Sequence, residues 1–151
     1  MTSIGDLLGN QADALARGSI SIGDVHLLQL GSEEGITVKD GNPTKDKFFV
    51  VLGFDKSGNV IGGIVVNSKI NHNLPTAVTD YMMPLTVKQC PFLKYDSFAN
   101  CSQLKVVRIE KFSALTYRGS IEDQCLLNVI KDTIIESPYS SRQQLKEFGL
   151  I

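Results

Sequence analysis

"KFFVVLGFDKSGNVIGGIVVNS", Lys47 to Ser68, decides how this chain folds. Two runs of β-branched and aromatic residues flank Asp55 to Asn59, and Ser57-Gly58-Asn59 supplies the turn chemistry, so the stretch reads as a β-hairpin. Both runs are almost continuously apolar, which predicts strands that are largely buried. At the front edge, Lys45 and Lys47 in "KDKFFVVLGFD" run straight into the apolar segment. Lys47 is therefore either the charged lip of a strand, with its amine in water, or a cation set toward a phosphate.

Outward from the hairpin, "DVHLLQL" (Asp24 to Leu30) reads as a strand by its apolar content. The segment between, "GSEEGITVKDGNPTK", is punctuated by Gly and Pro and reads as a long flexible loop. "TDYMMPLT" is a further strand, pushed toward a sheet edge or a bulge by Pro84, and "SQLKVVRIE" another. Residues 1–18 carry Ile4, Leu7, Leu8, Ala12 and Leu15 at helical spacing, with Ser3 as a cap and Gly18 as a stop.

The end of the chain turns helical. Ser120 stands three residues before Asp123 in a carboxylate form of the capping box, and Leu126, Leu127, Ile130 and Ile134 form an apolar stripe that Pro138 closes. Ser141 and Gln144 form a second capping box, Leu145 and Phe148 point inward, and Gly149 terminates. The expectation is one domain over residues 1–151, mainly β with α: a small β-barrel with a short N-terminal helix and C-terminal helices packed on it.

Composition narrows the function classes. An apolar fraction of 42% and a charged fraction of 21% are those of a soluble globular domain, and no window holds the roughly 18 apolar residues of a membrane span. The N-terminus lacks the charge and apolar pattern of a signal peptide, so the reading is cytoplasmic. Three cysteines, Cys90, Cys101 and Cys125, are too few and wrongly spaced for a disulfide framework or a zinc site, which predicts reduced thiols and no metal. Residues 47–118 carry 9 bases against 4 acids, between acidic ends, so a basic face is permitted.

Five fragments in order resemble the MazF/PemK/Kid family of bacterial toxin endoribonucleases: "GDVHLLQL", "KDKFFVVL", "GGIVVNSKINHNLPTAV", "YDSFANCSQLKVVRIEKF" and "GSIEDQCLLNVIKDTII". The resemblance covers residues 22–135, which would form the barrel core with its helix. Residues 1–18 are an N-terminal helical extension and 137–151 a short helical tail beyond that core. It implies an SH3-like barrel of the PemK/CcdB type, a homodimer, that cleaves single-stranded mRNA without metal or cofactor. In that reaction the 2′-hydroxyl attacks the adjacent phosphate and leaves a 2′,3′-cyclic phosphate. It also implies a cognate antitoxin whose acidic, disordered tail competes for the same groove.

By the same resemblance, Lys47 falls where the family carries an arginine opening the second strand, Phe48 where a proline follows it, and Asn67 with Ser68 where hydroxyl residues close the third strand. Those three, Lys47, Asn67 and Ser68, are the implied catalytic set. Gln103 matches the glutamine of the family's later strand and Lys105 a basic residue two positions on; with Lys45 at the strand tip, and Lys69 and His72 in the polar loop "KINHNLPT" expected to border the cleft, they form the candidate substrate-binding set. Two departures separate this chain from the pattern. Lysine offers one compact charge where arginine offers a bidentate fork. An Arg-x-Asp step that takes part in proton transfer in some members is replaced by Asn100 and Ser102, neither of which exchanges a proton near neutral pH. The alternatives are a PemK-fold module that binds nucleic acid or a partner peptide without cleaving it, and a purely structural SH3-like adaptor. His26 in a strand reads as packed or surface, Cys101 as core, and Tyr81 and Phe92 as structural or base-stacking.

Overall fold

The computed structural model describes residues 20–38, 41–70 and 73–151. The expected N-terminal helix over residues 1–18 lies outside the described residues, as does His72. In chain order the elements are β1 (Asp24–Gly31), β2 (Thr44–Phe54), β3 (Val60–Asn67), α1 (Thr76–Thr79), β4 (Met82–Leu85), β5 (Ser97–Asn100), β6 (Lys105–Arg108), β7 (Tyr117–Ser120), α2 (Gln124–Glu136) and α3 (Arg142–Glu147). Short 3-10 turns follow β1 at Ser32–Glu34 and β6 at Ile109–Lys111.

The hairpin is present as read. β2 and β3 pair antiparallel from Phe48↔Val66 to Phe54↔Ile61. Asp55 builds the turn: its carboxylate accepts the backbone N–H groups of Asn59 and Val60 and the Ser57 hydroxyl, while Gly58 takes φ +72°. The seven strands form one mainly β, antiparallel sheet in the order β4-β5-β3-β2-β1-β7, with β6 also on β3. Two short strands share one flank of β3. β5 takes Val66 and Asn67, and β6 takes Val60 to Gly63. Among the described residues no ladder joins β4 to β7, so the sheet is open where a closed barrel was expected. Pro84 does sit on an edge strand, where its missing N–H breaks no ladder.

Because both faces of the hairpin are covered, alternate residues feed two cores. Val50, Leu52, Ile64 and Val66 join Leu126, Leu127, Ile130 and Ile134 of α2, with Leu145 and Phe148 of the C-terminal segment. Phe49, Val51, Ile61 and Val65 join Leu28, Leu30, Val107, Ile109 and Phe112 on the other side. Residues 137–151 are thus no appendage. A methyl group on Gly62 would lie 2.8 Å from the Phe148 ring, and one on Gly53 2.0 Å from the Phe148 carbonyl oxygen. The hairpin glycines make the space into which the end of the chain docks.

Two local readings change. The α2 cap is Asp123, whose carboxylate accepts from the N–H groups of Cys125 and Leu126, and not Ser120. Ser120 belongs to β7, and its hydroxyl donates to Asp24 Oδ1 instead. The β1–β2 connection, read as a structureless loop, opens with a 3-10 turn held by buried Glu34. That carboxylate accepts from the Gly31 N–H and pairs with Lys111 Nζ at 2.6 Å. The Ser141 cap, with its hydroxyl accepting from the Gln144 N–H, and Gly149 at φ +78° stand as read. Among the described residues no helix is long and apolar enough to cross a membrane.

Candidate functional site

β2 is longer than its partner. Residues 44–47 remain paired to β1, from Leu28↔Lys47 to Gly31↔Thr44, after the ladder with β3 has ended at Phe48↔Val66. The lysine-tipped end of β2 therefore projects past β3. Alternation sends Lys45 and Lys47 to the same side, and Asn67, at the last position of β3, lies across from Lys47. Lys47 Nζ donates to Asn67 Oδ1 at 2.8 Å.

This end of the hairpin walls a cleft of about 510 Å³. Seven of the eight residues singled out from the sequence line it: Lys45, Lys47, Asn67, Ser68, Lys69, Gln103 and Lys105. The eighth, His72, is the one outside the described residues. Ile36, Val65, Val78 and Met82 supply apolar wall, and none of the described lining residues carries a carboxylate. Among the described residues the lining holds four ammonium groups and no acid, beside the hydrogen-bonding side chains of Ser68, Asn67 and Gln103, which gives the cleft a positive charge.

Crowding tunes two of these cations. Burial lowers the pKa of the Lys47 ammonium from 10.5, and the neighbouring Lys45 charge lowers it further. Burial also lowers that of Lys105, whose amine is 3.4 Å from the Gly35 carbonyl oxygen. The β1–β2 connection is thereby tied to the floor of the cleft. Lys47 is thus not a lysine with its amine in bulk water. Its charge is half-desolvated and already aimed at a hydrogen-bond acceptor.

Asn100 and Ser102 also line the cleft, but they are occupied with each other. Asn100 Oδ1 accepts from the Ser102 hydroxyl at 2.6 Å and from the Ser102 N–H at 3.1 Å. The Ser102 carbonyl in turn accepts from the Ser137 hydroxyl, which ties this corner to the end of α2. Tyr139, on the segment following α2, contributes an aromatic wall 46% exposed. Sequence reasoning passed over it, because nothing local marks a tyrosine beyond a helix as belonging to a cleft.

The remaining candidates lie elsewhere. His26 is buried against Phe112 and Tyr117, with ring centroids 5.1 and 5.7 Å away. Tyr81 donates its hydroxyl to the Glu136 carbonyl, and Phe92 packs edge-on against Phe48. Cys90, Cys101 and Cys125 are free thiols, and burial pushes Cys101 up to about 12, so it is a core thiol and no nucleophile. No protein-family model matches this chain, and no curated protein matches it.

Proposed function

We propose that the cleft binds single-stranded RNA and cleaves it, as a MazF/PemK-like toxin endoribonuclease on an SH3-like sheet of the PemK/CcdB type. The observation that carries this reading is the Lys47 amine, half-buried in a cleft whose described lining holds three further lysines and no carboxylate, and 2.8 Å from Asn67. A phosphodiester set there meets a cation on one non-bridging oxygen and the Ser68 hydroxyl and Asn67 amide as donors. The 2′-hydroxyl attacks phosphorus and releases its proton to water, and the P–O5′ bond breaks. Lys47 stabilises the phosphorane and gives its proton to the departing 5′ oxygen, then recovers one from solvent. A lysine at its ordinary pKa is a poor acid for that task, so its depression by burial and by Lys45 favours the role. Working as a toxin, the protein would be a cytoplasmic homodimer, silenced when the acidic tail of an antitoxin fills the same cationic cleft.

The second reading, an RNA-binding module that does not cleave, is favoured by the Asn100–Ser102 pair, which closes on itself and leaves no proton acceptor there. One experiment separates the two. The purified protein is incubated with a labelled single-stranded RNA in chelator, and products are assayed for a 2′,3′-cyclic phosphate. Cleavage is expected to fall at least about 100-fold in Lys47→Met. Affinity is expected to fall only several-fold, with the salt slope shallower by about 0.7. In the parent, rate is expected to be lost on the alkaline side as pH rises through the lowered Lys47 pKa, below 10.5. Salt-dependent binding without product selects the second reading, and Lys47→Met matching the parent in both affinity and cleavage refutes the first.

A further inference from the structure

The alternation that sends Lys45 and Lys47 into the cleft sends Asp46 and Phe48 to the opposite face of the sheet, where a second pocket of about 170 Å³ opens. The two cavities meet at the open end of the hairpin, away from its turn, because Lys47 and Ser68 line both. The floor of the second pocket is apolar, built from Phe48, Val66 and Leu93. Its rim carries the Asp46 carboxylate, the Lys94 amine and the Tyr95 ring. Tyr95 is 59% exposed, and its hydroxyl has no hydrogen-bond partner among the described residues.

A slot with an apolar floor, an exposed ring and a polar rim suits a planar group with π-faces and hydrogen-bonding edges. We infer that this pocket receives one nucleobase of the RNA strand, from the nucleotide next to the phosphate held at Lys47. The inference rests on the RNA-binding reading of the cleft and extends it to base recognition. Tyr95 supplies the stacking surface, which accepts any base. Asp46 supplies selection, since a carboxylate only accepts and so prefers an edge rich in N–H donors. Guanine presents two adjacent donors, N1–H and N2–H, beside an O6 acceptor for the Lys94 amine, whereas uracil presents one donor.

The test uses short 2′-fluoro oligonucleotides, which lack the attacking hydroxyl and so report binding alone. Hexauridylate is compared with the same strand carrying one guanosine and with one carrying an abasic nucleotide at that position. The parent is expected to bind the guanosine strand several-fold more tightly than hexauridylate. Tyr95→Ala should lose about tenfold in affinity with an unchanged salt slope, because stacking releases no counterions. Asp46→Asn should erase the guanosine preference. Both side chains are exposed, so neither change threatens the fold. If Tyr95→Ala and Asp46→Asn keep parental affinity and preference while Lys47→Ala loses binding, the pocket is overturned and the cleft reading stands. If the parent shows no salt-dependent affinity for any strand, both fall.

Discussion

Phe148→Ala tests whether the end of the chain is part of the fold or an attachment to it. The ring is 4% exposed and lies against the backbone of the hairpin, close enough that a methyl on Gly62 would come within 2.8 Å of it. Truncation removes a buried aromatic and leaves a cavity with paired strands as one wall. Those strands cannot collapse inward without breaking their ladder, so little of the loss is recovered. The expected destabilisation is about 3–5 kcal/mol, the range for a buried Phe cut to Ala. Set against roughly 5–15 kcal/mol for a whole domain, that is a large share. At about 2–4 °C per kcal/mol for a chain of this size, the melting temperature should fall by roughly 6–20 °C. Urea denaturation is the assay, with the midpoint lowered and the slope unchanged. Where the variant remains folded, RNA affinity should be parental, since Phe148 does not line the lysine cleft. A loss below about 1 kcal/mol would show that residues 137–151 only rest on the surface, and the packing argument would be wrong.

Two further outcomes follow from buried features of the sheet. The Thr116 hydroxyl donates to the Ser113 carbonyl, so the 2.7 Å bond to His26 requires Nδ1–H as donor and leaves Nε2 buried with no partner among the described residues. Burial lowers the His26 pKa below 6.5; the Asp24 charge opposes this and the Arg118 charge adds to it. Below pH 6.5 the unfolded chain takes up a proton that the folded one resists, so stability is full above that pH and is lost as pH falls toward the lower folded value. Denaturation midpoints at pH 8 and pH 5 should therefore differ more in the parent than in His26→Phe; equal differences would dismiss the idea. Gly63→Ala would place a methyl 2.0 Å from the Val50 carbonyl oxygen and 2.7 Å from Phe49 Cζ, a backbone clash expected to cost about 3 kcal/mol or more. Gly41→Ala meets nothing within 4 Å and bears only the strain of φ +84°, about 1–2 kcal/mol. Should the two prove equally stable, close packing of β2 on β3 is not what Gly63 provides.

The lysine cleft illustrates how far residue order carries. The order of basic and hydroxyl residues along "KDKFFVVL" and "NSK" picked out residues that line one cleft. What it could not supply was the face on which each side chain stands, which depends on register. A slip of one residue in β2 would exchange Lys45 and Lys47 for Asp46 and Phe48. Tyr139 and Tyr95 went unread because each enters its cavity from a segment with no pattern of its own. The Asn100–Ser102 pair was legible as a departure in chemistry, but its closure into a hydrogen-bonded unit was not.

By itself the sequence determined whatever local chemistry decides. The hairpin followed from β-branched runs around a Ser-Gly-Asn turn, α2 from its apolar stripe, the start of α3 from Ser141, and the choice of an edge or a bulge for β4 from Pro84. Only the tertiary structure decided the rest. β5 and β7 are four residues each, "SFAN" and "YRGS", and they are strands only because β3 and β1 offer them free edges. Ser120 gave up the helix cap because Asp24 lies within reach of it in the assembled sheet. β5 and β6 divide one flank of β3 between them, and among the described residues no ladder brings β4 to β7. Such choices are made by partners distant in the chain, and backbone groups that must be paired somewhere take the partner that packing brings to them.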